Sequence, residues 1–366
     1  MKIDAVEINN FRNLSRVLMH PAPGVNLLVG KNAQGKTNFL EALYVLANGA
    51  SFRPARDRDL VQVGQASYLL RGRYRVVEKD FNLTVEFSCK RGKIIRVNDK
   101  RSVFHRQNRL QVLLFTPDDL YLVKGPPERR RSFLDLILSQ VSAEYEHHLN
   151  RFTGTLSRRN NLLKKQQVKG KDFQLLTDML VQSAVPLVSA RINLVNRLET
   201  EVASLYHRLT GEQSEIKIRY ALSFSPKAGM ASAPTISDLL RQALEAAREQ
   251  ELNRRTTLLG PHRDDFNIYL QGSNAKTYGS QGQQRSLAVA LKLATMSLFK
   301  SLKGYFPVFL LDEVLAELDE QRRRLLLDHL CGAGFQAFLS TVDSSVLTGD
   351  RHKIFFISGG SITEEG

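Results

Sequence analysis

Gly30-Lys31-Asn32-Ala33-Gln34-Gly35-Lys36-Thr37 decides the reading of this 366-residue chain. The run fits G-x-x-x-x-G-K-[ST] without a mismatch. Its flanks supply the context the pattern needs. Val25 to Val29 reads as a buried strand. Thr37 to Ala47 reads as a helix, with Phe39, Leu40, Leu43 and Leu46 at helical spacing. Gly30 and Gly35 let backbone N–H groups close around an anion, and the helix N-terminus adds partial positive charge. Lys36 is expected to reach the outer phosphates of a nucleoside triphosphate, and the Thr37 hydroxyl to hold Mg²⁺. Asn38 follows directly and belongs to the same loop.

A second constellation lies far downstream. Pro307 to Leu311 is apolar and ends in Asp312-Glu313. A buried strand of an α/β sheet aims its C-terminal residues at the ligand crevice. Asp312 is thus placed to hold Mg²⁺, and Glu313 to orient and polarise the attacking water. Between the two stands Tyr278-Gly279-Ser280-Gln281-Gly282-Gln283-Gln284-Arg285-Ser286, followed by a helix from Leu287 to Leu302. Ser280 sits at a helix start and offers a second anion-binding N-terminus; the plainer reading is an ordinary N-cap.

The rest of the chain has a split organisation. Residues 2 to 29 hold two or three short strands. Three more run from Tyr68 to Val77, Phe81 to Cys89 and Ile94 to Val97, with a turn on Asn98-Asp99, and Gln111 to Phe115 is another. From Pro117 to about Arg255 the character is helical. Val188, Ile192, Val195, Leu198, Val202 and Leu205 form one face of a long helix, with a kink or break expected at Pro186. Strands return at Phe266–Leu270, Val308–Leu311, Phe335–Leu339 and Ile354–Ile357. Pro226 to Pro234 reads as a loop. The expected fold is α/β: a core from residues 1–115 and 256–366, with mixed sheets, and an inserted helical lobe over 116–255.

Composition narrows the classes. The net charge of +15 favours a polyanionic partner, nucleic acid before membrane. Cys89 and Cys331 form no metal or redox pattern and suggest a reducing, cytoplasmic compartment. The charged start Met1-Lys2-Ile3-Asp4 lacks a signal region, and no 18-residue apolar run is expected to span a membrane.

Phosphate loop, helical insertion, Ser-Gln-Gly-Gln-Gln and Asp-Glu strand, in that order, resemble the ATP-binding-cassette heads of the SMC kind. Asn9-Asn10-Phe11-Arg12-Asn13, Ser51-Phe52-Arg53 to Asp59, Gly260-Pro261-His262-Arg263-Asp264-Asp265 and Gly279 to Arg285 narrow this to the RecF family of bacterial DNA replication and repair proteins. The resemblance covers essentially the whole chain. It implies an ABC-type P-loop ATPase head that binds ATP and Mg²⁺ and hydrolyses ATP weakly, stimulated by DNA. It further implies an ATP-dependent homodimer on duplex DNA at gapped or single-stranded junctions, and work with RecR and RecO in loading RecA.

Several roles follow from the resemblance alone. Ser280, with Gly282 and Gln283, would contact the γ-phosphate held by a second subunit's loop, and Asp319 would cross the same interface. Arg12 and Asn13 would line the base and α-phosphate. Arg53 or Arg56 would reach the phosphates, and Gln111 is the nearest candidate for a Mg²⁺-binding glutamine. Ser340-Thr341-Val342-Asp343 stands where transporters carry a switch histidine. A transport or defence ATPase is the alternative class. The chain has Ser-Gln-Gly-Gln-Gln where a transporter has Leu-Ser-Gly-Gly-Gln, and it has no room for a fused nuclease domain.

DNA contact is expected on the helical lobe. Residues 151 to 171 hold Arg151, Arg158, Arg159, Lys164, Lys165, Lys169 and Lys171 with no acid among them, and Arg129-Arg130-Arg131 forms a second cluster. Helical spacing would place Arg158, Lys165 and Lys169 near one face. Such contacts grip phosphates without reading bases. His262, His147-His148 and Asp264-Asp265 read as structural.

Overall fold

The structure, a computed structural model, describes residues 1–101, 110–224, 235–344 and 352–364. The loop expected at Pro226–Pro234 lies outside the described residues. The chain opens with strands β1 (Lys2–Phe11), β2 (Leu14–Met19) and β3 (Val25–Val29), then helix α1 (Lys36–Asn48). Strands β4 (Ser67–Val76), β5 (Lys79–Ser88), β6 (Gly92–Val97), β7 (Lys100–Arg101) and β8 (Val112–Phe115) follow. Next come helices α2 (Pro127–Val141), α3 (Ala143–Lys164) and α4 (Lys171–Thr210), strand β9 (Ile216–Ala221), and helices α5 (Ile236–Ala246) and α6 (Arg248–Arg254). Strands β10 (Asp265–Leu270) and β11 (Ser273–Asn274) precede helices α7 (Ala275–Tyr278) and α8 (Gln281–Lys303). The chain closes with β12 (Val308–Leu311), α9 (Glu320–Gly332), β13 (Ala337–Thr341), β14 (His352–Ser358) and β15 (Ser361–Glu364).

These elements form two compact units. One holds Met1–Tyr121, Leu205–Glu212 and Ala288–Gly366; the other holds Leu122–Ser204 and Gln213–Leu287. The first unit contains two six-stranded sheets. The order β15-β14-β3-β13-β12-β8 is parallel apart from the β14–β15 hairpin. Its strands β3, β8, β12 and β13 are buried throughout, as continuous apolar runs in a parallel sheet should be. The order β2-β1-β4-β5-β6-β7 is antiparallel, and β4 alternates buried and exposed, so one face meets the core and one meets water. Helix α1 lies in the shared core: Phe39, Leu43 and Leu46 are buried with Ile8, Phe11 and Leu70 of one sheet and Leu310 and Phe338 of the other. A turn at Asn98-Asp99, both at positive φ, joins β6 to β7, as the sequence suggests.

The second unit differs from expectation in three ways. Its boundary with the returning half falls at Leu287 rather than 256. The reason is β9, whose Ile216-Lys217-Ile218-Arg219 alternation sits inside the stretch read as helical. It pairs with β10 over six residues, so Phe266–Leu270 joins a small three-stranded sheet here and not the core sheet. Helix α4 also continues unbroken through Pro186 for 40 residues. Burial of Leu180, Val181, Ala184, Leu187 and Val188 around the proline outweighs the lost hydrogen bond, a penalty of about 3 kcal/mol. By length and composition this helix could cross a membrane, contrary to the expectation of no such apolar run. Those five side chains are instead packed as core.

Candidate nucleotide site

The parallel sheet brings the C-terminal ends of β3, β12, β13 and β14 to one edge. The phosphate loop leaves β3 there, Asp312-Glu313 leave β12, Ser340 and Thr341 end β13, and Gly359-Gly360 follow β14. Within the loop, Gly35 has φ +119 and Ala33 φ +65, so the backbone turns through the left-handed region before α1 begins. Gly30 is needed for a different reason. A Cβ there would stand 2.3 Å from the carbonyl oxygen of Ile357 on β14. Gln34 pins the crown of the loop: its Oε1 accepts from Gly359 N (2.7 Å), and its carbonyl accepts from Gly360 N (3.1 Å) and Asn13 Nδ2 (3.1 Å).

Lys36, 3 % exposed, donates to the carbonyls of Gly30 (2.8 Å) and Lys31 (3.0 Å), and its Nζ is 3.5 Å from Glu313. The Thr37 hydroxyl donates to Asp312 Oδ1 at 2.9 Å. Ser340 completes the arrangement. Its Oγ donates to the same Asp312 oxygen at 2.9 Å and accepts from Glu313 N at 2.8 Å. That second bond fixes Glu313 at φ 53, a left-handed backbone that turns its half-exposed carboxylate toward Lys36. Burial pushes the Asp312 carboxyl above its ordinary value, and the Thr37 and Ser340 hydroxyls offset part of that. A cation shared with phosphate oxygens would return it to the charged form. Among the described residues no cluster of three His, Cys, Asp or Glu could hold a metal by itself. Mg²⁺ at this edge would take Thr37 and Asp312 from the protein and its other ligands from waters and phosphate oxygens. A cavity of about 460 Å³ opens beside Asn32, Glu313, Ser340 and Asp343.

Around the loop a buried acid organises the arginines. Glu41 of α1, wholly buried, takes both Arg12 Nε (3.0 Å) and Nη2 (2.8 Å), together with Arg53 and the Ser51 hydroxyl. Burial alone would raise the Glu41 carboxyl, but these donors hold it below the usual range. Arg53 also donates to Asn38 Oδ1 (2.6 Å), and Asn38 donates to Asn13 (2.8 Å). Arg53 therefore stands against the first turn of α1, whereas Arg56 is exposed.

Other expected site residues lie elsewhere. Gln111 lies just before β8, and the register sets Phe115, not Gln111, beside Leu311 and Asp312. Four residues of strand, roughly 13 Å, separate it from the metal end, so it is no Mg²⁺ ligand. In the second unit Ser280 forms a reciprocal cap with Gln283: Gln283 N donates to Ser280 Oγ (3.2 Å), and Ser280 N donates to Gln283 Oε1 (2.9 Å). Its hydroxyl proton stays available on an exposed helix start beside Gly282. Asp319 caps α9 through Arg322 N (2.9 Å) and is exposed.

The basic clusters divide. Arg129, Arg158, Lys164, Lys165 and Lys169 are exposed. Arg130 and Arg159 are not, and neither can touch DNA. Arg130 makes a bidentate pair with Asp265 and donates to the carbonyls of Leu122, Val123 and Gly125. Arg159 is 1 % exposed and donates to Glu251 (2.7 Å), Thr257 (2.7 Å) and Thr177 (3.1 Å). Lys169 lies in the loop after α3, which ends near Gln166 at φ 58, so it does not share a helix face with Arg158. Asp265 pairs with Arg130 rather than Arg263, and Asp264 accepts from Tyr220 and Ser223.

The RecF/RecN/SMC N-terminal domain family matches residues 2–358. The DNA replication and repair protein RecF of Symbiobacterium thermophilum is 38 % identical over 371 residues, spanning 99 % of this chain and 98 % of that protein. This chain belongs to the RecF family. The RecF of an Exiguobacterium species is 36 % identical across the full length of both chains. Among solved structures, the recombination mediator RecF-ATPrS of the RecFOR pathway superposes with a TM-score of 0.89 at 30 % identity, covering 100 % of this chain and 98 % of that one. An Smc head from Pyrococcus furiosus reaches 0.58 at 15 % identity and shares the fold alone. The RecF-family fold here is the mixed α/β head of the RecF/SMC ATPases, with its helical segment.

Proposed function

We propose that this chain is an ATP-gated DNA-binding protein of recombinational repair. ATP binding joins two heads on duplex DNA at gaps, and slow hydrolysis releases them. The supporting observation is the convergence of Lys36, Thr37, Asp312, Ser340 and Glu313 at one sheet edge, with Lys36 3.5 Å from Glu313 and Thr37 2.9 Å from Asp312. Backbone N–H groups of Gly30 to Thr37 and the start of α1 receive the phosphates. Lys36 neutralises their outermost charge. Thr37 and Asp312 would hold Mg²⁺, which would supply positive charge against the transferring phosphoryl group. Glu313 holds and polarises the attacking water, and Ser340 keeps its backbone in place. Arg53 supplies further positive charge from its place against Asn38. Ser280, Gly282, Gln283 and Asp319 serve the face that meets a second copy.

The name of the solved relative sets that protein in the RecFOR pathway, and membership of the same family supports the reading that this chain works with RecO and RecR in loading RecA. The exposed members of the basic clusters, Arg129, Arg158, Lys164, Lys165 and Lys169, are the DNA-facing groups. Lys36→Met tests the reading. Fluorescent-ATP binding should be lost in a protein of unchanged melting temperature, and with it any gain in duplex affinity on adding ATP. Unchanged nucleotide affinity in the folded variant would refute the site.

A further inference from the structure

We infer that the DNA surface of the second unit includes Arg254 and Arg255, which the fold sets beside the α3 basic run from 90 residues further along the chain. The inference rests on the DNA-binding reading above and adds to it. Helix α6 runs antiparallel to the end of α3 and the loop beyond. At its start Arg248 donates to Val168 O (3.0 Å); in its middle Leu252 packs on the cluster of Leu163, Val168 and Phe173. Past its end, Thr257 donates through N (2.8 Å) and Oγ1 (2.7 Å) to Asn160 of α3. Arg254 and Arg255, exposed between Leu252 and Thr257, therefore lie along the stretch of α3 from Asn160 to Leu163, the segment whose flanks carry Arg158, Lys164 and Lys165.

Burial sorts the charges. Glu251 is wholly buried and is neutralised by buried Arg159 at 2.7 Å. Arg159 is thus the pin that holds the two segments together, not a contact. Over residues 158–172 and 248–255 the exposed groups are Arg158, Lys164, Lys165, Lys169, Lys171, Arg254 and Arg255, against the acids Asp172 and Glu249. None of the large apolar side chains exposed on the surface falls in these segments, so the strip lacks the insertion groups of a membrane anchor. Guanidinium forks suit phosphodiesters, which they grip bidentately and without regard to base sequence. Arg255 also occupies the left-handed cap of α6 at φ +54, a position where glycine is the usual residue.

The test uses the full-length protein, a labelled 30-base-pair duplex and anisotropy titrations over a range of potassium chloride, with ATP present. Arg254→Ala with Arg255→Ala should weaken binding about tenfold or more and reduce the salt slope by roughly 1.8, or 0.9 per lost phosphate contact. Arg71→Ala with Arg73→Ala, on the water-facing side of β4, should leave both unchanged. Arg255→Gly should bind DNA more weakly while melting no lower than the native protein, a combination a purely structural arginine would not give. Native affinity and slope in the Arg254/Arg255 variant would overturn the inference. If Lys164, Lys165 and Lys169→Ala still weakens binding in that case, the lobe keeps its DNA reading. If neither does, both fall. Loss of binding to phosphatidylglycerol vesicles with duplex affinity intact would also overturn it, in favour of a lipid surface.

Discussion

The backbone N–H of Glu313 donates to Ser340 Oγ and helps hold a non-glycine residue at φ 53. Glu313→Gln keeps that backbone and the side-chain shape but removes the charge that polarises water. ATP hydrolysis should fall roughly 100- to 1,000-fold, a barrier increase of about 3–4 kcal/mol, with ATP affinity retained. Single-turnover hydrolysis measures it, and a native rate would assign the base elsewhere. His262 gives a prediction of the opposite kind, on stability. Burial, aided by the charges of Arg263, Arg131 and Arg159, pushes its imidazole down to about 4. Between pH 6.5 and 4 the unfolded chain binds a proton there that the folded chain refuses. This stability is complete above about pH 6.5 and drains as pH falls toward 4, by up to about 3 kcal/mol. Urea unfolding across that window should show the acid limb, and His262→Gln should flatten it. At this scale the sequence displayed the loop and the Asp-Glu pair plainly, because both are contiguous. It did not display the bonds of Ser340 to Asp312 and Glu313, which arise only through strand pairing. Nor could it separate Arg130 and Arg159 from their exposed neighbours, since each is neutralised by an acid about 90 residues away or more.

Among the elements, β14 does more than extend the sheet. Its Ile357 carbonyl backs directly onto the phosphate loop, and the turn after it fastens Gln34. Gly30→Ala would drive a methyl to 2.3 Å from that backbone oxygen, with no side chain free to yield. A stability loss of about 1–3 kcal/mol is expected, with ATP affinity reduced at least tenfold. Calorimetry and a nucleotide titration would check it; a variant with native values for both would show that β14 does not support the loop. Most elements of the first unit were legible, since buried parallel strands and one-sided antiparallel strands leave different apolar patterns. Strand β9 was missed although it alternates, because a short alternation between long helical stretches reads as their continuation. Pro186 misled for a related reason. Local chemistry opposes a helix there, and only packing along α4 reveals why it continues.

For the whole molecule, the proposed function makes the nucleotide site of the ATPase head half of a composite completed by a second copy. The Lys36–Asp312–Glu313 centre lies in one unit, and the Ser280 helix start, exposed and already capped by Gln283, lies in the other. Charge at this scale was legible from composition, but the partition of that charge into buried pins and exposed contacts was not. The most direct test of the central claim is the mass of Glu313→Gln in solution, by light scattering, with ATP and then with ADP. The account expects twice the 41.4 kDa of one chain in ATP, a single chain in ADP, and no dimer in ATP once Ser280→Arg is added. A monomer in ATP, or a dimer indifferent to the nucleotide and to Ser280→Arg, would contradict it.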